Sequence, residues 1–291
     1  MTTIRKRNIN DIVLGIFLLC HPLPVLFHII AVTVFALLAA WPHPIWSILV
    51  LVIAAHTSMQ LAIAVLNDYA DRRLDMLSKR DKPIARGLVL PREALILGIC
   101  LIILMFLLLL PLHPLALLFS VLYLACGLGY NLGLKSTPFS GVVFAIAIPL
   151  IPVYAFVGVG RIIPVVFWFI PVAALLGIAL NLANSLSDIE EDAANGARTL
   201  AVMLGVKGTL TACLILISLA LLLVSLLALT HLVVVQSTLL VSTILIVMVL
   251  IVSLLVLGRS AQTEQRRKYY FFLVVATCLV LAGGWLLSIF V

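Results

Sequence analysis

The chain is a series of long apolar runs separated by short polar interruptions. Runs such as 99–110, 210–230 and 238–257 continue without the strict alternation that marks a half-buried strand. They are too long for the short alternating segments of a membrane barrel, so they predict helices. About 20 apolar residues, each rising about 1.5 Å, are needed to cross the hydrocarbon of a bilayer. With the charged, proline and glycine positions as punctuation, nine spanning helices are expected: 14–40, 46–70, 93–111, 114–131, 139–158, 163–187, 208–230, 233–257 and 269–290. Two of the connections are very short, one at Pro111-Leu112-His113-Pro114 and one near His231.

Composition agrees with this reading and narrows it. Of 291 residues, 65% are hydrophobic and only 10% charged, against about 25% charged in a soluble domain. A globule in water could not cover itself with so few polar groups. The expected class is an all-α integral membrane protein with nine transmembrane helices. The five cysteines lie scattered in apolar runs with no CxxC pair, so neither zinc nor a disulfide framework is indicated. The six histidines show no ligand spacing and read as interfacial or packed, although His21 and His28 lie seven apart. Arg5, Lys6 and Arg7 precede the first apolar stretch as in a signal peptide. That stretch runs to about residue 40, beyond an h-region of about 7–15 residues, and is expected to be a retained first helix.

The net charge of +7 invites a nucleic-acid partner, but its distribution rejects one. Of the 18 basic residues, only Arg161 falls in a loop after an odd-numbered span. The rest, with all 11 acidic residues, lie in the amino-terminal tail and the loops after spans two, four, six and eight. A wrong span count would have scrambled this alternation. The positive-inside rule puts that side in the cytoplasm, with the amino terminus inside and the carboxyl terminus outside. The far face is nearly bare, and the spans are expected to carry almost no polar groups at mid-membrane. The chemistry is therefore expected at the cytoplasmic helix ends.

Two such ends are acidic. One reads Asn67-Asp68-Tyr69-Ala70-Asp71-Arg72-Arg73-Leu74-Asp75, the other Asn184-Ser185-Leu186-Ser187-Asp188-Ile189-Glu190-Glu191-Asp192. Both contain Asn-x3-Asp-x3-Asp. Residues four apart share a helix face, so each cluster is expected to stack an amide and two carboxylates in one stripe, with Asp68 and Glu191 alongside. Adjacent acids repel unless a cation lies among them. Oxygen donors without His or Cys suit Mg²⁺, which shares its shell with substrate phosphates. One such run could be a solvated loop neutralised by Arg72, Arg73 and Lys79; two with the same spacing are more specific. Asp68, Asp71, Asp75, Asp188 and Asp192 are therefore the candidate metal-binding and catalytic acids. Basic residues follow: Lys82 and Arg86 after the first cluster, Lys135 after Tyr130, and Arg198 after the second. Acids holding a metal, with Lys and Arg beside it, are suited to a diphosphate leaving group. Arg92, Lys207 and the Arg266–Lys268 run read instead as simple membrane anchors.

On these residues the sequence resembles the UbiA superfamily of intramembrane prenyltransferases. Its first motif, NDxxDxxxD, corresponds to Asn67, Asp68, Asp71 and Asp75, followed by Lys82-Pro83-Ile84-Ala85-Arg86-Gly87 where members carry a segment like RPIxSG. A Tyr-x3-Leu-Lys element corresponds to Tyr130, Leu134 and Lys135. The second motif corresponds to Asp188, Asp192, Gly196 and Thr199-Leu200. The match runs from about 60 to 205 in order. Lys82 and Arg86 depart from the family's arginine and small residue. The second motif looks more like the homogentisate, chlorophyll and archaeal-lipid branches than the 4-hydroxybenzoate one.

The resemblance implies a single transmembrane domain over 1–291 in the cell inner membrane, its nine helices surrounding a central apolar cavity, with a Mg²⁺ cofactor. It implies that a polyprenyl diphosphate donates its prenyl group to an aromatic or lipid acceptor. Asn67, Lys82, Arg86, Tyr130, Lys135, Asn184 and Arg198 are the candidate substrate-binding residues, and Tyr69 or Tyr130 could shelter an allylic cation. The competing readings are a divalent-cation transporter, which would want its carboxylates at mid-membrane, and a non-catalytic prenyl-lipid binder. A CDP-alcohol phosphotransferase is disfavoured because its longer Asp-rich pattern is missing.

Overall fold

A computed structural model describes residues 7–78, 81–261 and 263–290. Arg5, Lys6, Lys79 and Arg80 lie outside the described residues. Among those described there are eleven α-helices, one short 3-10 turn and no strand. The helices are α1 (Ile9–Leu19), α2 (Pro22–Ala40), α3 (Trp46–Ser78), α4 (Pro91–Leu109), α5 (Pro114–Asn131), α6 (Ser140–Gly158), α7 (Val165–Ser185), α8 (Ile189–Ala194), α9 (Leu200–Leu229), α10 (Ser237–Arg259) and α11 (Glu264–Phe290). Nine of the described helices, all but α1 and α8, are long and apolar enough to cross a membrane. Large apolar side chains stand exposed along them, such as Ile103, Leu107, Leu245 and Val249. Such a surface requires lipid.

The expected first span is two helices. Proline disfavours the helical region for the residue before it. His21, ahead of Pro22, takes the left-handed conformation with φ 45°. The chain breaks there, leaving α1 as a separate helix started by an Asn8–Asp11 capping box. The seventh span also differs at its start. The helical segment begins at Leu200, but Gly205 at φ 64° kinks it, so the straight part begins near the expected position.

The fold divides into two compact units. The first comprises residues 1–132 and 151–162 and is organised by α3. Leu49, Val52, Ala55, Met59, Ala62 and Val65 are buried at three- and four-residue steps along α3, the signature of one helix face turned inward. Gly98 of α4 lies against Leu66 and Gly127 of α5 against Ile63, so close that a Cβ at either would come within 2.6 Å of those side chains. Near the acidic end of α3, Leu19, Val65, Ile84, Val89 and Ala94 form an apolar cluster. Arg7 reinforces it with a bidentate bond to Glu93 at 2.7 and 2.8 Å.

This unit also corrects the expectation of nearly polar-free spans. Gln60 lies 2.6 Å from the Tyr123 hydroxyl and 3.2 Å from His28 Nδ1. The His56 ring stacks on Tyr154 with centroids 5.6 Å apart. Polar side chains from α2, α3, α5 and α6 thus share one cluster, whose hydrogen bonds offset much of the cost of burial while His56 Nδ1 keeps no partner.

The second unit comprises 133–150 and 163–291. Here α7 packs on α9, and α11 on α10 and α7. Gly177 lies against the Phe144 carbonyl, where a Cβ would come within 2.6 Å of backbone, so α6 and α7 approach this closely here because residue 177 is glycine. The buried Tyr270 hydroxyl donates to the Leu210 carbonyl at 3.1 Å and ties α11 to α9.

Candidate functional site

The first acidic cluster is a stripe on an unbroken helix. Asn67, Asp71 and Asp75 all lie within α3. The segment holds no proline or glycine, and its leucine, alanine and arginines are good helix formers. The face that buries Val65 continues to Asp68 and Asp75, which are 1% and 7% exposed, while Asn67 and Asp71 are half-buried. A carboxylate so deep needs compensation. Asp68 Oδ1 receives it from Lys82 Nζ at 2.7 Å and His21 Nε2 at 2.9 Å. Its Oδ2 is buried with no hydrogen-bond partner.

Lys82 reaches Asp68 because the following loop is wound tightly. The Arg86 amide donates to the Lys82 carbonyl at 2.9 Å and the Leu88 amide to the Pro83 carbonyl at 3.0 Å. Gly87, at φ 70°, takes a backbone conformation that a side chain would strain. This turn keeps Lys82 half-buried and leaves Arg86 exposed. The two basic candidates of this segment are thus separated, and only Lys82 meets an acid of the stripe. Arg72 lies 4.1 Å above the Tyr69 ring. One face of Tyr69 is therefore already covered by a cation, which weakens it relative to Tyr130 as a shelter for a carbocation. Tyr130 is half-buried near the end of α5.

The second cluster is a corner, and the expected second stripe is not formed. Helix α7 ends at Ser185, Asp188 is the N-cap of α8, and only Asp192 lies inside that short helix. The cause is local: Asn184, Ser185, Ser187 and Asp188 favour caps and turns over helix interior. Asn184 and Asp188 are exposed and Asp192 is half-buried. Asp188 makes no side-chain capping bond to the helix it begins. An open pocket of about 350 Å³ is lined by Ser187, Asp188, Glu190, Glu191, Glu264 and Arg267. Arg267 grips Glu190 in a bidentate pair at 2.6 and 2.8 Å. That guanidinium holds the Glu190 carboxyl below the usual glutamate range.

Lys135 and Arg198 lie on neighbouring loops. Lys135 is half-buried in the 3-10 turn Leu134–Ser136, and the Arg198 amide donates to the Ser136 carbonyl at 2.9 Å. The chain reaches Arg198 through Gly196 at φ 76°, and Thr199 then caps α9 by accepting from the Val202 amide at 3.1 Å. Two candidate cations are thereby placed on the loops that flank the second acidic corner.

Three residues at these ends escaped the sequence reading. In the sequence His21 stands out only by lying seven residues from His28; its position before Pro22 is the available signal. Asn181 is 1% exposed, accepts from the Ser140 hydroxyl at 3.1 Å and keeps a buried amide nitrogen without a partner. Its three-residue offset from Asn184 was legible. Arg267 reads as an anchor by sequence, and nothing in its local sequence distinguishes it.

The donor set fits a hard divalent cation. Every acid of both clusters offers oxygen, and the buried, unpartnered Asp68 Oδ2 is an acceptor in search of a positive partner. Among the described residues, no three acidic, histidine or cysteine side chains already converge on one point. Mg²⁺ does not demand such a cage, since it is commonly held by one or two carboxylates with substrate phosphates completing its shell.

The model of the UbiA prenyltransferase family matches residues 28–287. The chain belongs to this family. Among its curated UbiA relatives, the 4-hydroxybenzoate octaprenyltransferase of Nitrosomonas europaea is 35% identical over 175 residues, 58% of this chain and 59% of that protein. The enzyme of the same name from Escherichia fergusonii is 33% identical over 60% of this chain and 61% of its own length. The aligned regions thus span about three fifths of these relatives. A solved UbiA homologue from Aeropyrum pernix K1 superposes with a TM-score of 0.70 at 23% identity, over 89% of this chain and 96% of its own. Another, from Archaeoglobus fulgidus and bound to GPP and Mg²⁺, superposes at 0.68 with 15% identity, over 93% and 99%. At such identities these likenesses speak for the fold. Both of these curated relatives are 4-hydroxybenzoate enzymes, whereas the second motif by itself looks more like other branches.

Proposed function

We propose that this chain transfers a polyprenyl group from its diphosphate to an aromatic acceptor at the cytoplasmic rim of the membrane. The observation that carries this is the pairing, in a UbiA member, of two acidic helix ends with lysine and arginine on the adjoining loops. The relatives' 4-hydroxybenzoate specificity favours an aromatic acceptor over a lipid one. The GPP- and Mg²⁺-bound homologue supports the donor class and the metal.

The residues divide the work. Asn67, Asp71 and Asp75, with the second oxygen of Asp68, would hold Mg²⁺ at the first cluster, and Asp188 and Asp192, beside Asn184, at the second. When bound, Mg²⁺ neutralises the diphosphate and makes it a better leaving group. Lys82, Lys135 and Arg198 add positive charge to offset the negative charge that the departing diphosphate gains, and Arg86 supplies a more exposed contact. The allylic C–O bond breaks with its electron pair leaving on the diphosphate. The acceptor's ring carbon then bonds to the allylic carbon and the ring loses a proton. Tyr130 can offer its ring face to the developing cation. The isoprenoid tail is held by apolar burial, at about 0.8 kcal/mol per methylene.

The deciding experiment supplies the purified protein with geranyl diphosphate and 4-hydroxybenzoate, with Mg²⁺ or with excess EDTA. Prenylated product and released diphosphate are expected in equal amounts, and only with Mg²⁺. Absence of diphosphate release with any acceptor, lipid alcohols included, would overturn the enzymatic reading in favour of transport or binding. Orientation is tested by labelling single cysteines introduced at Pro42 and Leu112, which external reagent should reach, and at Asp81, which it should not.

A further inference from the structure

Helix α11 carries no motif, yet its first turns reach the second acidic corner. Arg267 is 8% exposed, unusually deep for arginine. Its guanidinium makes contacts on both sides of Asp188. Before that residue, Nη1 donates to the Leu186 carbonyl at 3.3 Å, the C-cap of α7. After it, Nη1 and Nη2 clasp the Glu190 carboxylate. Nε donates to the Ala261 carbonyl at 3.4 Å, fixing the side chain to its own end of the unit. Asp188 lies midway between residues 186 and 190, so one buried planar group brackets it.

We propose that Arg267 is the positioning residue for the second acidic loop, holding the Asp188 backbone in place through Leu186 and Glu190. The first acidic stripe needs no such device, because helix α3 continues through it. The second lies where the helix has stopped, and loop residues keep their position only if something long-range fixes them. Arginine suits this better than lysine, since a rigid fork can satisfy a carboxylate and a carbonyl at once. The catalytic consequence rests on the reading of Asp188 and Asp192 as diphosphate-side donors; the structural bracket does not.

Two measurements on the full chain in lipid nanodiscs test this. The first is amide hydrogen exchange. In Arg267→Gln, amides 189–195 should exchange at least about tenfold faster, including the Asp192 amide now donating to the Asp188 carbonyl. The spans 208–229 and 270–285 should be unchanged. Glu190→Gln keeps the Leu186 contact and should show a smaller increase in the same segment, and it carries the test if Arg267→Gln does not fold. The second is the Mg²⁺ concentration for half-maximal turnover, expected to rise about tenfold in Arg267→Gln, with the KM for the aromatic acceptor unmoved and Arg267→Lys recovering part of the loss. Unchanged exchange at 189–195, or equal acceleration throughout the spans, overturns the bracket. Near-normal turnover in Asp188→Ala would instead overturn the reading of the acids and leave the exchange result standing.

Discussion

The two acidic clusters share a spacing and differ in construction. Asn67, Asp71 and Asp75 ride one helix, where each position is fixed by the backbone hydrogen bonds of α3. Asn184, Asp188 and Asp192 are spread over the last turn of α7, a break and the first turns of α8. A four-residue spacing makes a stripe only where the helix persists, and serines and asparagine decide that it does not persist here. The first cluster is rigid through local structure and balances its buried Asp68 with Lys82 and His21. The second is more exposed and is met by contacts from far along the chain, Arg267 lying 81 positions from Leu186 and 77 from Glu190.

The sharpest way to break this comparison is to remove one acid from each side. Asp71→Ala and Asp188→Ala are each expected to lower turnover by about 10²-fold or more, the loss typical of deleting one electrostatic stabiliser. Both should still fold, because neither residue is deeply buried and removing an acid relieves repulsion. Thermal melting of the purified variants checks the second half. Near-normal turnover in both would sink the two-cluster mechanism, and in one alone would make the clusters inequivalent.

A smaller effect separates the lysines. Lys135→Ala should weaken inhibition by inorganic diphosphate about tenfold, as expected for loss of a charged hydrogen bond of about 1.5–3 kcal/mol. Preference among prenyl chain lengths should stay, since apolar area reads the tail. Lys82→Ala should weaken inhibition similarly and also destabilise the fold, by about 1–3 kcal/mol, because the buried Asp68 then keeps only His21. An equal loss of stability in both variants would show that the buried Asp68 is not what makes Lys82 structural. A shift in chain-length preference for Lys135→Ala would move that residue to the tail.

Backbone substitution tests the helix itself. Ala70→Gly, inside the continuous stripe, should cost about 1 kcal/mol and reduce turnover measurably. Ser187→Gly lies in a segment that is already non-helical and should cost close to nothing. Equal losses in a denaturation series would mean that the second cluster is as helix-dependent as the first.

These contrasts mark what was legible in the chain. Nine spans were readable because lipid-facing helices repeat apolar residues for longer than any alternative. The split at His21 was also written locally, in the Pro22 that follows, but a continuous apolar pattern hid it. The kink at Gly205 coincided with the expected start of a span for the same local reason. The acids were readable by type and spacing, yet only the helix-internal cluster had the expected shape. Burial of Asp68 follows from its register with Val65, which the spacing to Asp71 does not reveal. Arg267 and Glu190, 77 positions apart, pair only through tertiary packing, and an arginine beside two other basic residues looks like an anchor.

The smallest expected effect is a pH dependence confined to the second cluster. Arg267 depresses the Glu190 carboxyl below its ordinary value, so the folded state binds this proton less readily than the unfolded chain. The stabilisation is then complete above the ordinary glutamate value of about 4.3. It is lost progressively as pH falls from there through the depressed folded value, and gone below it. The Glu190 side chain is 65% exposed, so water and salt screen the pair and the change is small. It should appear as faster exchange at amides 189–195 on acidification from neutral pH to below about 4, after correction for the intrinsic pH dependence of exchange. Glu190→Gln should abolish this difference and high salt should reduce it. Acidification that loosened 189–195 equally in the parent chain and in Glu190→Gln would show that the pair does not hold the corner through its charge. Arg267 would then act through the Leu186 carbonyl alone.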